Sequence, residues 1–133
     1  MTQKPTAGKA SLDQRRAKHA WEVVRNVDAN RPNNEKVEFR RQAKRLPVQI
    51  VTSGLGQALT FLKAKEYAPD LQNALREWAS VRIPASSNEP SDLVERIIKG
   101  DSDFLRRATD EVLAYMQWLT RFAEAELPKD DER

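Results

Sequence analysis

Apolar residues recur every three or four positions along most of this chain, the spacing that places side chains on one face of an α-helix. Four glycines in 133 residues are too few for the tight turns of an all-β fold. A chain of this length has room for one hydrophobic core. The sequence therefore predicts an all-α fold: a compact bundle of five to six helices in a single domain.

Prolines, asparagines and glycines divide the chain into six predicted helices. They cover roughly residues 11–28, 34–45, 47–62, 70–81, 91–99 and 101–126. We predict a disordered N-terminal arm over 1–10, a helical bundle domain over 11–127, and a charged C-terminal tail over 128–133. The stretch 83–91 contains two prolines and three serines and is predicted to be an exposed loop.

The segment "VQIVTSGLGQALTFL", residues 48–62, has the look of a strand, a glycine turn and a helix that bind a phosphate. Leu59, however, stands where the dinucleotide fingerprint needs a third Gly or Ala, and the Gly-Lys-Ser/Thr of a phosphate-binding loop is absent. No second strand–helix unit is present to build the parallel sheet that such loops require. We therefore predict that the chain binds no cofactor.

The same segment is better explained as a helix at the centre of the bundle. Pro47 suits a first helical turn and disfavours a helical conformation at Leu46, so we place a break between these two residues. Gly54 lies beside the apolar stripe, where it would allow close approach of a neighbouring helix. Gly56 lies toward the polar side, where a partner near the backbone or a local kink would explain it. The predicted stripe is Val48, Val51, Leu55, Ala58, Leu59 and Leu62.

No combination of residues indicates catalysis. Asp101 and Asp103 lie close together, but at a predicted helix start, where free backbone N–H groups favour acidic residues. His19 is the single histidine and cysteine is absent, so a His- or Cys-rich metal site cannot form. The three tryptophans are expected in the core, although one could stack on a base. We predict no enzymatic activity, no metal and no small-molecule substrate.

Charge is unevenly distributed along the chain. Residues 1–65 hold 14 Lys and Arg against 5 Asp and Glu, whereas residues 66–133 hold 9 against 15. A polyanion-binding surface in the first half and electrostatic docking in the second would explain this distribution. Internal pairing between the two halves is the alternative explanation.

The predicted second helix carries like-charge pairs one turn apart. Arg40 lies four residues before Lys44, and Arg41 lies four residues before Arg45. Such pairs repel each other, so a phosphate backbone or an acidic protein surface would offset their cost. The candidate contact residues in the whole chain are Arg15, Arg16, Lys18, Arg40, Arg41, Lys44, Arg45, Lys63 and Lys65.

Three stretches resemble a known family. They are "LDQRRAKHAWEVV", "EFRRQAKRLPVQIVTSGLGQALTFLKAK" and "DEVLAYMQWLTRFAEAEL". Together they are similar to the small, all-helical subunit of the type III-B CRISPR RNA-guided effector, the Cmr complex. The resemblance spans about residues 12–127 and is weakest in the loop 83–91.

The resemblance implies a scaffold subunit and not an enzyme. In that family, several copies stack head to tail beside the backbone subunits, bridge to the large polymerase-like subunit and line the groove of the target RNA. The implied partners are therefore these subunits, neighbouring copies of the chain, and guide and target RNA. On this basis the nine basic residues above are predicted RNA contacts, and Gly54 and Gly56 are predicted packing positions.

Two other functions stay open at the level of sequence. One is a helical protein–protein adaptor without direct RNA binding, and the other is an enzyme with an unfamiliar acidic site around Asp101, Asp103 and Asp110. The chain shows no secretory signal and no membrane-spanning apolar run, so the expected location is the prokaryotic cytoplasm, without a membrane partner.

Overall fold

The computed structural model of the protein describes residues 9–86, 88, 90 and 92–129. In those residues the regular structure consists of α-helices, with no strand. The helices are α1 (Leu12–Asn30), α2 (Asn33–Ser53), α3 (Leu55–Lys65), α4 (Pro69–Arg82), α5 (Leu93–Lys99) and α6 (Ser102–Glu126). The prediction of an all-α bundle of five to six helices is confirmed.

Parts of the predicted domain layout lie outside the described residues. These are 1–8 of the N-terminal arm, 87, 89 and 91 of the loop, and 130–133 of the tail. The arm and the tail therefore stay predictions. None of the helices in the described part of the chain combines the length and the apolar character that a membrane span requires.

The longest helix, α6, is the centre of the bundle. It packs against α1, α2 and α4, whereas α3 contacts α2, α4 and α5. Tyr115, Met116 and Leu119 of α6 are completely buried in the core. The prediction that the segment 47–62 forms the central helix is therefore wrong, because α6 occupies that position.

Local capping defines several of the helix starts. The Ser11 hydroxyl accepts a hydrogen bond from the N–H of Gln14, whose side chain accepts one from the N–H of Ser11, so α1 begins with a complete capping box. The carboxylate of Asp101 accepts the N–H of Phe104 and caps α6. These two predicted starts are confirmed, since a cap depends only on residues within one turn.

The predicted break before Pro47 is wrong, because α2 continues through this proline to Ser53. A proline inside a helix leaves the carbonyl four residues earlier without its N–H donor. Here that carbonyl belongs to Ala43, and the hydroxyl of Thr120 on α6 donates a hydrogen bond to it over 3.1 Å. A contact from another helix therefore lets α2 accommodate Pro47.

The real break lies at Gly54, which separates α2 from α3. Its φ of 91° and ψ of 154° belong to a backbone region that is essentially restricted to glycine. A Cβ added at Gly54 would meet no atom of the described residues within 4 Å, so the predicted close approach of a neighbouring helix of the bundle is not found there, and packing of Gly54 against a partner stays a prediction. The backbone conformation, and not a lack of room for a side chain, makes glycine necessary at this position.

The break also changes which apolar residues are buried. Ile50 and Leu55 lie in the core, whereas Val48 and Val51 are 63% and 74% exposed. The predicted continuous stripe, which included both valines, is therefore wrong in its first half. The residues Leu55, Ala58 and Leu62 of its second half are buried as predicted.

Candidate nucleic-acid and partner interface

The predicted basic residues of α1 divide between the surface and the interior. Arg15 and Lys18 are exposed on the side of α1 that faces away from the core. Arg16 turns inward, and its side chain is only 17% exposed. Two of the three α1 residues are therefore accessible to solvent, and their contact with RNA stays a prediction.

Arg16 is held by an ion pair that joins the first and last helices. Its Nε and Nη2 atoms each donate to a carboxylate oxygen of Glu111 over 2.9 Å. The indole Nε1 of Trp78 donates to the same carboxylate over 2.8 Å, and Arg82 adds a positive charge 3.6 Å away. Burial by itself raises the pKa of Glu111, but hydrogen bonds from Arg16 and Trp78 outweigh it and lower the pKa. Arg16 is therefore a structural residue, and the structure does not support its prediction as an RNA contact.

The Arg16–Glu111–Trp78 network was not predicted from the sequence. Glu111 lies three residues after Ala108 and four before Tyr115, and both neighbours belong to the buried stripe of α6. A carboxylate on a buried helical face requires a partner. The position of Glu111 in the sequence could therefore have predicted a buried ion pair, although not the identity of its partner.

His19 belongs to an aromatic cluster next to this network. Its Nδ1 lies 2.7 Å from the hydroxyl of Tyr115, and its Nε2 lies 3.2 Å from a carboxylate oxygen of Glu77. Burial, with the charge of Glu77 adding to it, raises the pKa of Tyr115, whose ring stacks on Trp78. His19 is thus partly exposed and makes structural contacts, as predicted. Within the described part of the chain, no three His, Cys, Asp or Glu side chains are grouped so that they could hold a metal ion.

The basic residues of α2 differ in their surroundings. Arg40 is partly buried, and Arg41 is paired with Glu38. The Nζ of Lys44 lies 3.6 Å from a carboxylate oxygen of Glu124 on α6, whereas Arg45 is exposed. Acidic residues of the chain itself therefore offset part of the predicted repulsion between the like-charge pairs.

Lys63 and Lys65 are exposed at the end of α3. Positive charge in the last turn interacts favourably with the carbonyl groups that end a helix, so both lysines have a local role as well. The Nζ of Lys65 lies 5.8 Å from the ring centroid of Phe61, within the range of a cation–π contact. The nine predicted residues thus lie on three helices, and Arg16 is internal.

Gly56 faces a shallow groove between α3 and α5. The groove is lined by apolar side chains that include Phe61, Val94 and Ile98. A Cβ at Gly56 would lie 3.5 Å from Cγ2 of Ile97, which is an ordinary contact distance. The predicted role of Gly56 at an interface therefore stays a prediction, with an apolar groove beside it.

Several charges of the basic first half pair with the acidic second half. Besides Arg16 with Glu111 and Lys44 with Glu124, the guanidinium of Arg31 donates to both carboxylate oxygens of Asp70 over 2.8 and 3.0 Å. Internal pairing, the alternative left open by the sequence, thus accounts for part of the uneven charge.

Comparison with known proteins identifies the family. The family model described as CRISPR-associated protein (Cas_Cmr5) matches residues 12–126, from the start of α1 to the end of α6. The "CRISPR system Cmr subunit Cmr5" of Thermus thermophilus is 32% identical over 114 residues, which cover 82% of this chain and 90% of that protein. The crystal structure of a CRISPR-associated Cmr5 family protein from Thermus thermophilus matches with a TM-score of 0.73 at 29% identity, covering 90% of this chain and 100% of the other. The resemblance noted in the sequence is confirmed, and the chain belongs to the CRISPR-associated Cmr5 family.

Proposed function

We propose that the protein is a non-catalytic structural subunit of a type III-B CRISPR Cmr effector complex. Copies of it stack head to tail along the complex, and its exposed basic residues contact the guide or target RNA. The observation that carries this proposal is the family match, which spans the whole helical bundle.

The roles of the acidic residues support a non-catalytic subunit. Asp101 caps α6, and Glu111 is held by Arg16 and Trp78. Hydrogen bonds from Arg106 lower the pKa of Asp103, with a smaller contribution from Arg107. The carboxylates of Glu111 and Asp103, whose pKa values are lowered by their hydrogen-bond partners, are not poised to exchange protons near neutral pH.

Exposed positive charge supports RNA contact. Arg15 and Lys18 on α1, and Lys63 and Lys65 on α3, present their side chains to solvent. Binding through such residues neutralises phosphates and releases counterions, so affinity falls steeply with salt. This form of recognition follows the charge of the RNA backbone and does not depend on base sequence.

The test is a titration of the purified chain against single-stranded RNA at about 50 and 200 mM salt. RNA contact predicts measurable binding at the lower salt and a strong decrease at the higher salt. The absence of binding at both concentrations would contradict direct RNA contact by the free chain. It would favour the alternative, a helical adaptor that binds only protein subunits.

The adaptor alternative has its own support in the structure. Arg16, Arg41 and Lys44, three of the nine predicted contacts, are paired with acidic residues of the same chain. Such pairing reduces the charge that is available to a phosphate backbone. Stacking is tested separately by native mass spectrometry of the reconstituted complex, in which more than one copy of the chain is expected.

A further inference from the structure

The outward side of α2 carries positive and apolar residues in one continuous row. We call this row the α2 outer surface and define it as Lys44, Arg45, Val48 and Val51. Lys44, Val48 and Val51 are spaced by four and three residues, so they follow one face of the helix. The two valines are 63% and 74% exposed, although the opposite side of α2 is buried against α6.

The valines are not explained by the stability of the isolated chain. Single exposed apolar residues are common in soluble proteins and require no explanation. Two exposed β-branched residues one turn apart are different, because valine is a poorer helix former than the Lys, Gln or Glu usual on a solvated face. Two such residues on one otherwise polar face of α2 are therefore the basis on which we look for a covering molecule.

The combination favours a protein over a nucleic acid as the covering molecule. Phosphates are bound by positive charge and by hydrogen-bond donors, and the side chain of valine supplies neither. Protein interfaces, in contrast, combine a buried apolar centre with a polar rim. In the α2 outer surface, Val48 and Val51 have the character of such a centre, and Lys44 and Arg45 that of its rim.

We propose that the α2 outer surface docks an acidic amphipathic helix of another protein subunit. This inference rests on the proposed function, because it takes the partner from the same complex. The i, i+4, i+7 spacing of Lys44, Val48 and Val51 places the three side chains on one stripe of α2, the arrangement by which a helix presents a face to a partner helix. Complementarity then requires apolar residues at the centre of the partner helix and Asp or Glu opposite the exposed Arg45, since Lys44 already lies 3.6 Å from a carboxylate oxygen of Glu124 in the same chain. RNA contact by the chain accordingly falls to the predicted basic residues outside this surface.

The first test measures incorporation of variants into the complex reconstituted from its purified subunits and RNA. Val48→Gln with Val51→Gln is expected to weaken incorporation by about tenfold or more, because it removes the apolar centre. Val81→Gln is the matched control, since Val81 is a 59% exposed valine on α4 outside this surface. The control is expected to incorporate like the wild type. All substituted positions are exposed, so thermal unfolding is expected to change little.

The two proposals fail in distinguishable ways. Normal incorporation of the double variant would overturn the docking inference and leave the proposed function intact. Failure of the wild-type chain to enter the complex would overturn both. Equal losses in the double variant and in Val81→Gln would also overturn the inference, because the effect would not be specific to α2. The double variant is further expected to bind single-stranded RNA as the wild type does.

A second test identifies the occupant directly. A photo-crosslinking amino acid at position 51 of the assembled complex is expected to react with a helical segment of another subunit that is rich in Asp and Glu. Mass spectrometry of the cross-linked peptide provides the identification. A cross-link to RNA, to a second copy of this chain, or to no other molecule would overturn the proposal.

Discussion

The hydroxyl of Thr120 on α6 donates a hydrogen bond to the carbonyl oxygen of Ala43 on α2, over 3.1 Å. That carbonyl has no helical N–H donor, because Pro47 stands four residues later. One side-chain contact thus satisfies the backbone group that a proline would otherwise leave unpaired, and it links the central helix to α2.

The substitution Thr120→Val is expected to lower the free energy of unfolding by about 1–2 kcal/mol, because it leaves the Ala43 carbonyl without this donor. In a Pro47→Ala background the restored N–H can bond to that carbonyl, so the same substitution should cost less. Urea denaturation of the wild type, Thr120→Val, Pro47→Ala and the double variant measures the cost of Thr120→Val in each background. An equal cost in both backgrounds would contradict the proposed link between Thr120 and Pro47.

The substitution Glu111→Gln is expected to lower the free energy of unfolding at pH 7 by about 2 kcal/mol, because the largely buried Arg16 loses its carboxylate. The pKa of Glu111 is lowered from its ordinary value of 4.5. Its stabilising contribution is therefore complete above the unfolded pKa and is lost as pH falls through the folded pKa. The stability difference between wild type and variant should consequently shrink below about pH 4.5.

Chemical denaturation of the wild type and of Glu111→Gln between pH 3 and 7 measures how their stability difference decreases with falling pH. Glu95→Gln is a control, because the pair of Glu95 with Lys99 is exposed and lies within one helix. Only a small effect is expected from it. A Glu111→Gln stability difference that stays constant down to pH 3 would show that the carboxylate charge is not what stabilises this site.

Charge reversal at Arg15 and Lys18 together is expected to weaken binding to single-stranded RNA about tenfold or more at low salt. If each residue contacts one phosphate, the slope of log K against log salt should also fall by about 1.4. Arg106→Glu with Arg107→Glu is the matched control, since it makes the same change in net charge on α6. Equal losses in both double variants would indicate a general charge effect and not a contact surface on α1.

The two glycines of "GLG" are expected to respond in opposite ways to alanine. Gly54→Ala should cost about 1–3 kcal/mol, because its backbone conformation is essentially restricted to glycine. Gly56→Ala lies within α3 and meets Ile97 at 3.5 Å, so it should be neutral or stabilising by up to about 1 kcal/mol. Denaturant midpoints measure both effects, and a Gly54→Ala protein as stable as the wild type would be inconsistent with the described turn.

The sequence alone determined the all-α fold and the helix starts at Ser11 and Asp101. Helical periodicity and capping depend on residues within a few positions of one another, so they are visible without the fold. For the same reason the sequence identified the exposed basic residues Arg15 and Lys18 as candidates for a binding surface.

Tertiary structure alone decided the course of the chain through Pro47 and the role of Arg16. Thr120 follows Ala43 by 77 residues and Glu111 follows Arg16 by 95, so neither contact is visible in any local pattern. The local pattern also did not show that Val48 and Val51 are exposed. Their exposure follows from the end of α2 at Gly54 and not at Leu46. Local spacing defines one face of a helix, but the neighbouring helices determine which residues of that face are buried.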